Sequence, residues 1–468
     1  MAKQQVGLVG LAVMGQNLAL NIESKGFSVA VFNRTGAKTE RFMAERAAGK
    51  AIVGTYHPKE FCAALQTPRK IILMVKAGEA VDATIGNLRP HLGKGDVLID
   101  GGNSFFKDTE RRLDDLAAAG LLYIGTGVSG GEEGALLGPS IMPGGSRKAY
   151  ALVKNVLEKC AAQVDGPCCT YIGPRGAGHF VKMVHNGIEY GIMQVIAEIY
   201  DVLQDLLHLT AAEVSMTFSK WNKELGGYLM EITSTCLARV DDDTGKPLVD
   251  LILDKAGQKG TGKWTSQNAL DLGVAVPTID MAVEARILSA FKDERVAAAK
   301  VLKGPRAGRG VAHRTQLIRA CRDALYASVI VCYAQGMALL REASREYDYD
   351  LHLDEVARIW KGGCIIRSKL LDPIAAAYCK KPDLANLMVD TQFARILNRR
   401  TPALRKVVCQ AVGAGVPVLA LSSALGYIDS YRTARLPQNL TQAQRDYFGA
   451  HTYARTDKEG VFHTHWTA

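Results

Sequence analysis

The sequence predicts an α/β N-terminal domain on a doubly wound parallel sheet, followed by a large all-α domain and an extended C-terminal tail. Three observations predict this. The first third of the chain alternates continuous apolar runs with helix-length connections, the pattern of parallel strands buried on both faces. Strand-like runs then largely vanish, and long helical patterns extend from Phe180 to about Tyr431. From Pro437 onward the chain is polar and aromatic, with few periodic apolar positions, as in a segment that needs a neighbour to hold it. The division is 1–177, 178–434 and 435–468.

Composition bounds the function classes. The chain has 468 residues, 48% hydrophobic and 22% charged, a mixture that excludes general disorder. No uninterrupted apolar stretch reaches the roughly 18 residues of a membrane span, and no charged-then-apolar leader opens the chain. Ten cysteines lie scattered without a CxxC pair, and the adjacent Cys168 and Cys169 suit neither zinc nor an easy disulfide. Free thiols in a reducing, cytoplasmic setting are the expectation. The formal charge of +10 fits an anionic partner, either nucleic acid or a phosphorylated metabolite. Glycine is in excess: 46 residues, where the usual fraction of about 7% would give about 33.

The expected strands are Val6–Val9, Val29–Phe32, 71–75, Val97–Asp100 and Leu122–Val128. GLAVMG (Gly10, Leu11, Ala12, Val13, Met14, Gly15) follows the first and precedes a helical QNLALNIESKG. This is the Gly-x-Gly-x-x-Gly dinucleotide fingerprint of a Rossmann-like domain, with Ala12 in place of the second glycine. Gly10 supplies the turn, Ala12 is still small enough to admit a pyrophosphate, and Gly15 lets helix and strand approach. The second strand runs into Asn33-Arg34-Thr35 rather than the Asp or Glu that would bind an unphosphorylated ribose. A guanidinium there, with two hydrogen-bonding neighbours, favours NADP over NAD. Val75-Lys76-Ala77 and Asp100-Gly101-Gly102-Asn103 end further strands where the same cofactor should pass.

The most informative segment is GAGHFVKMVHNGIEYG, residues 176–191. As a helix it places Lys182, His185, Asn186 and Glu189 at i, i+3, i+4 and i+7, on one face, with Val181, Val184 and Ile188 opposite. From spacing alone such a stripe is ordinarily a solvated face with an ion pair. Gly187 within it and the glycines before it argue otherwise, because they cost helix stability. In a cleft, a desolvated Lys182 can act as general base and a carboxyl such as Glu189 as general acid. SGGEEGA, residues 129–135, offers a hydroxyl and backbone N–H groups suited to a substrate carboxylate. QKGTGKWT (258–265), Arg286 and RDYFGAHTY (445–453) are candidates for anion recognition, although the first lacks the Walker spacing. No metal-binding motif is present, so a decarboxylation would rely on a protonated side chain as electron sink. The phrase LHLTAAEV…KW at 207–221 faintly recurs as LHLDEV…IW at 351–360, an echo of a duplicated helical unit.

GLAVMGQN, FNRT, LMVKAG, DGGN, GTGVSGGEEGA, GPSIMPGG, GAGHFVKMVHNGIEYG, KGTGKWTSQ, GGCIIRS and QAQRDYFGAHTY together closely resemble the 6-phosphogluconate dehydrogenase family. These are decarboxylating NADP enzymes of the pentose phosphate pathway, and the likeness runs from Val6 to about Trp466. HFVKMVHNGIEYG and QRDYFGAHTY are specific to that family, whereas GLAVMG and SGG are shared with the wider β-hydroxyacid dehydrogenases. The resemblance implies that Lys182 takes the 3-hydroxyl proton of 6-phosphogluconate as hydride passes to NADP. Protonated Lys182 then polarises the ketone as CO2 leaves, and Glu189 protonates carbon 1 of the enediol to give ribulose 5-phosphate. It implies that Asn103, Ser129, Gly130, Gly131, His185 and Asn186 hold the sugar acid. Tyr190, Lys259, Thr261, Arg286 and Arg445 are implied at its phosphate end, with His451 also in the site. In this family the tail enters the partner subunit, so a homodimer with a shared site is implied. One departure is Ile192, where members often carry an acid; it lies outside the polar stripe, so no change of reaction is expected.

Two rival readings have distinct signatures. A β-hydroxyacid dehydrogenase acting with NAD on a small unphosphorylated acid has no use for the KGTGKWT, Arg286 and Arg445 set. A basic nucleic-acid-binding protein calls for clustered Lys/Arg with interleaved aromatics, whereas here the charge is dispersed and aromatics are 7%. Neither a nucleic acid nor a membrane is therefore an expected partner.

Overall fold

The structure, a computed structural model, describes residues 2–305 and 313–466. Seven strands form one sheet: Val6–Val9 (β1), Val29–Phe32 (β2), Ile52–Thr55 (β3), Lys70–Leu73 (β4), Val97–Asp100 (β5), Leu122–Val128 (β6) and Ile141–Gly145 (β7). Their order is β3-β2-β1-β4-β5-β6-β7. All pairings are parallel except that of β7, which runs antiparallel to β6. The sequence reading lacked β3 and β7 and let β4 run on to Val75. The sequences IVGT and IMPGG hide their strands behind glycines and Pro143, which weaken strand propensity and mark bulges or edges. β1, β2, β5 and β7 are buried along their whole length, as expected of a sheet covered on both faces.

The connecting helices are Val13–Ser24 (α1), Gly36–Glu45 (α2), Pro58–Ala63 (α3), Glu79–Leu88 (α4), Phe106–Ala117 (α5), Gly131–Leu137 (α6) and Arg147–Cys160 (α7). The chain winds outward from β1 to β3 and then crosses back to β4 on the other side of β1, so the strand order reverses between β1 and β4 and the open crevice lies at their carboxyl ends.

The helical part opens with Ala177–Asp205 (α8), which is buried on nearly all sides. There follow Ala211–Leu225 (α9), Tyr228–Ala238 (α10), Leu248–Leu251 (α11), Thr261–Asp271 (α12), Pro277–Ala290 (α13), Lys292–Val301 (α14) and Arg314–Glu346 (α15). Leu353–Ile359 (α16), Leu371–Lys380 (α17), Thr391–Ala414 (α18) and Leu419–Tyr431 (α19) complete it. α15 packs along both α8 and α18. At 33 residues α15 is long and apolar enough to cross a membrane, but 89% of its apolar window is buried inside the protein. It runs through the middle of the helical core, and Ser328, Gln335 and Gly336 interrupt its apolar run between the flanking charges of Asp323 and Arg341. The buried carboxylate of Glu198 on α8 accepts the free N–H groups of Ala420 and Leu421, both at 2.8 Å, fastening the first turn of α19.

Sheet and helices share one core rather than meeting across a linker. Phe106, Met142, Cys168 and Ile172 pack in the same cluster as α8 and α15. A Cβ at Gly178 would lie 2.4 Å from the carbonyl oxygens of Gly125 and of Met142. The first turn of α8 therefore rests directly on the backbone of β6 and β7.

The tail is not simply extended. Gln438–Gly449 forms a twelve-residue helix (α20), and Tyr453 and Phe462 pair their backbones behind it. The fully buried Asp446 gathers the segment, accepting from Thr452 N (2.9 Å), His463 Nδ1 (2.9 Å), Thr464 N (3.0 Å) and Trp466 Nε1 (2.9 Å). Leu440, Ala443, Tyr447 and Phe448 follow helical spacing, a period missed in the sequence, yet Leu440, Tyr447 and Phe448 are exposed. Among the described residues α20 packs extensively against no other element of its own chain.

Candidate active site

The dinucleotide turn lies where β1 meets α1. Gly10 has φ +101°, and a Cβ there would fall 2.4 Å from the Met74 carbonyl oxygen. A Cβ at Gly15 would fall 1.8 Å from the Gly10 carbonyl oxygen. Ala12 is the N-cap of α1 and offers no side-chain acceptor, and the first turn of α1 carries no acid. Its unpaired N–H groups remain available to an anion. The β2 end likewise has no carboxylate, and Arg34 is exposed beside it. These residues fit a phosphorylated dinucleotide. Asn33 sits in the same turn, where its Oδ1 accepts from Leu11 N (3.0 Å) and its amide donates to Thr35 O (3.0 Å). In this conformation it clamps the loop and leaves Arg34 and Thr35 to face outward.

Three strand ends converge on this turn. Val75 Cγ1 comes within 3.1 Å of the Cβ position at Gly10, and Val75 O within 3.1 Å of that at Gly102. Asp100 is fully buried and receives Ser104 Oγ (2.6 Å), Tyr123 OH (2.9 Å) and Gly102 N (3.1 Å), holding the DGGN turn with Asn103 exposed at its tip.

α8 carries the polar stripe, and the stripe is buried rather than solvated. Lys182, His185 and Asn186 are 5%, 0% and 8% exposed, and Glu189 is half-buried. Lys182 Nζ donates to Asn186 Oδ1 at 2.7 Å and lies 3.4 Å from His185 Nδ1. His185 Nε2 reaches Ser129 Oγ at 3.2 Å, and Asn186 Nδ2 donates to Thr261 Oγ1 at 3.0 Å. Glu189 is not a hydrogen-bond partner of Lys182, and the seven-residue separation on a helix leaves a span of about 10 Å along the axis. Burial pushes the Lys182 ammonium below its ordinary value, against the opposing pull of Glu189 and Cys364. Burial pushes the Glu189 carboxyl up, against Lys182 and Arg286. His185 is held well below its ordinary value by burial and by Lys182, so it stands neutral.

The glycines explain how α8 comes so close. A Cβ at Gly187 would meet Thr265 Cγ2 at 2.6 Å, so the glycine in the stripe admits α12. A Cβ at Gly127 on β6 would lie 2.4 Å from Lys182 Cβ, and one at Gly125 would lie 2.7 Å from His179 Nδ1. Gly130 and Gly131 adopt left-handed φ of +114° and +62° at the start of α6. The Gly363 carbonyl, from the loop after α16, lies 2.6 Å from the Cβ position at Gly130 and accepts Ser140 N at 2.7 Å. At the far end, the Arg286 guanidinium stacks on Tyr190 at 3.4 Å from the ring centroid.

The structure thus brings together Ser129, Lys182, His185, Asn186 and Thr261, with Tyr190 and Arg286 as a second pair. Lys259 is exposed on the loop leading to Gly260, the N-cap of α12. Arg445 and His451 stay in the tail, where Arg445 binds Gln442 (3.0 Å), and neither hydrogen-bonds to α8 or α12. Sequence reasoning missed several supports of the site. His179 bridges Thr109 Oγ1 (2.6 Å) and Asp100 O (3.1 Å), and Trp360 meets the His185 ring edge-on at 5.6 Å. Gly125 and Gly127, alternate residues on one face of a strand, were a readable sign that backbone or a bulky stem lies against that face. Ile192 is buried in the helical core.

Two family models match: the NAD binding domain of 6-phosphogluconate dehydrogenase over residues 5–173, and the C-terminal domain of that enzyme over residues 178–466. The NADP(+)-dependent, decarboxylating 6-phosphogluconate dehydrogenase of Bacillus subtilis (strain 168) is 60% identical over 468 residues, the full length of both chains. The decarboxylating 6-phosphogluconate dehydrogenase of Escherichia coli (strain K12) is 56% identical over 469 residues, again covering both chains completely. The solved Plasmodium falciparum 6-phosphogluconate dehydrogenase, described as apo, with NADP+ and with 6-phosphogluconate, aligns at TM-score 0.94 and 46% identity. That alignment covers 99% of this chain and 100% of the other. The fold class read from the sequence agrees with this match, and the chain belongs to the 6-phosphogluconate dehydrogenase family.

Proposed function

We infer that the protein oxidises 6-phospho-D-gluconate with NADP and decarboxylates it, releasing CO2 and D-ribulose 5-phosphate. The observation that carries this reading is the buried Lys182, desolvated without a contacting carboxylate, on the same helix face as Glu189 and at the carboxyl ends of the strands. Lys182 is the base that takes the proton of the 3-hydroxyl. Bound NADP supplies the hydride acceptor for carbon 3. Lys182 then returns its proton to the ketone oxygen as the bond to the carboxylate breaks and CO2 departs, leaving an enediol. Glu189 delivers a proton to carbon 1 while Lys182 recovers the enol proton, which forms the ketose. Proton transfer from Lys182 back to Glu189 restores the starting state.

Asn186 and His185 hold Lys182 and contact the sugar acid. Ser129, Gly130 and Gly131 receive the carboxylate, assisted by Asn103. Thr261, Lys259 and the Arg286–Tyr190 stack receive the phosphate. Gly10, Leu11, Ala12, Val13, Met14 and Gly15 cradle the pyrophosphate, Arg34 with Thr35 receives the 2′-phosphate, and Val75, Lys76 and Ala77 line the cofactor's path. Arg445 and His451 complete the site of a partner subunit in a homodimer; the unpartnered apolar stripe of α20 supports this. The free cysteines and phosphorylated substrate suit the cytoplasm.

An assay following NADPH absorbance with 6-phosphogluconate, using NADP and then NAD, with and without chelator, tests the reading. Turnover with NADP that survives chelation is the expected result, and no turnover with this substrate would refute it. Truncation before Arg445 should abolish turnover in a folded protein. An active truncated monomer would refute the shared site.

A further inference from the structure

Arg46, which follows α2, belongs to none of the groups assigned above, yet its fork joins both halves of the site. Its Nη1 donates to Gln16 Oε1 at 3.1 Å and its Nη2 to Asn17 Oδ1 at 2.8 Å. Each of these amides then spends its N–H on a backbone carbonyl. Gln16 Nε2 donates to Leu11 O (3.1 Å) within the dinucleotide turn. Asn17 Nδ2 donates to Glu132 O (2.8 Å), in the first turn of α6 and next to the Ser129–Gly131 turn. One helical turn later, Asn21 donates to Ala135 O (3.1 Å) and Cys160 O (2.9 Å), closing the C-terminal ends of α6 and α7. Asn17 and Asn21 are 2% and 0% exposed, so the contacts are sheltered from competing water.

We propose that Arg46 is a positioning residue whose latch, through Gln16 and Asn17, sets the distance between the dinucleotide turn and the turn that receives the substrate carboxylate. α6 has only seven residues and cannot hold its own orientation, since an isolated helix that short is unstable. α1 supplies that orientation through its asparagines, and Arg46 fixes which way the Gln16 and Asn17 amides point. The cation is planar and two-pronged, so it restrains both amides at once; an ammonium reaches one. The proposal rests on the reading that Ser129–Gly131 binds substrate.

The test is steady-state kinetics with direct NADP binding. Asn17→Leu keeps the branched shape and removes both bonds of Asn17, to Glu132 O and from Arg46 Nη2, while leaving the Gln16–Leu11 arm in place. It should raise the KM for 6-phosphogluconate about fivefold while the NADP Kd stays within twofold, although Asn17 lies on the cofactor helix. Arg46→Met should raise both. A KM within twofold of native in Asn17→Leu, or equal rises for both ligands, would overturn the latch. Should Asn17→Leu fail to fold, Arg46→Lys at this partly exposed position takes its place: rises of two- to threefold in both constants support the latch, and no change overturns it. Ser129→Ala tests the underlying reading separately: an unchanged KM there refutes the carboxylate turn, on which the latch depends, whereas a raised KM with an unaffected Asn17→Leu enzyme refutes the latch alone.

Discussion

Gly127 provides the sharpest test of how this site is built, because a single methyl group there acts on Lys182, the proposed base, and on little else. Its φ is not in the left-handed region, so alanine suits the backbone and the effect is steric. The new Cβ would stand 2.4 Å from Lys182 Cβ and 2.9 Å from its Cγ, where ordinary contact begins at 3.4 Å. Lys182 Cβ is fixed by the helix, so rotating the side chain cannot relieve the first clash. The Gly178 carbonyl oxygen at 3.2 Å closes another direction. β6 and α8 must therefore part by about 1 Å. Overpacking of this kind costs ~1–3 kcal/mol, within the stability reserve of ~5–15 kcal/mol of an ordinary domain, so the variant should fold. A displacement of about 1 Å at the reacting group costs on the order of 10²-fold in rate. The assay is kcat from NADPH absorbance at saturating substrates, paired with urea unfolding. Gly86→Ala and Gly413→Ala are controls: both lie in helices with nothing within 4 Å of the added carbon, and should gain ~0.5–1 kcal/mol with unchanged kcat. A Gly127→Ala enzyme with kcat within threefold of native would refute the close-approach argument.

Lys182→Met should abolish turnover, by a factor of at least about 10³, while NADP binding persists; near-normal turnover would show that Lys182 is not the base. Arg34→Ala should raise the KM for NADP about tenfold and leave that for NAD unchanged, measured with both cofactors; an equal change in both would remove the 2′-phosphate from its role. The pH profile of kcat/KM should be a bell in which the working pair, Lys182 with Glu189, holds one proton. Its acid limb should lie above the ordinary carboxyl value of 4.5, because burial raises Glu189, and its alkaline limb below 10.5, because burial lowers Lys182. Limbs outside that window would contradict the burial described.

The sheet was legible in proportion to how far its strands resemble uninterrupted apolar runs. VGLV and VLID announce themselves, whereas IMPGG reads as a turn and becomes a strand only because β6 offers it a partner edge. The polar stripe of α8 was legible as a period of 3.6, but period cannot distinguish solvent from a cleft. Nothing local to Lys182 says that it is buried; that is decided by β6, more than fifty residues earlier. The α20 helix went unread because few apolar residues mark it and those that do are unsatisfied within the chain. Asn33 was read from its place at the end of β2 as a hydrogen-bond partner of the cofactor; its bond from Leu11 N was not legible, since the chemistry of an amide does not say which neighbour it will face.

The glycine excess acquires a physical meaning from these contacts. A buried ammonium is unfavourable, and here no carboxylate touches it, so the fold itself must keep Lys182 dry. It does so by backbone proximity: Gly125 and Gly127 on β6, Gly178 and Gly187 on α8, and Gly130 against Gly363 each remove a side chain that would otherwise hold two elements apart. Larger residues at any of these points would separate the layers and admit water, and the lysine would return toward its ordinary basicity. The basicity of Lys182 is therefore tied to packing between the sheet and one helix. That is why a change at Gly127, which bears no functional group, should be read in kcat and not in stability alone.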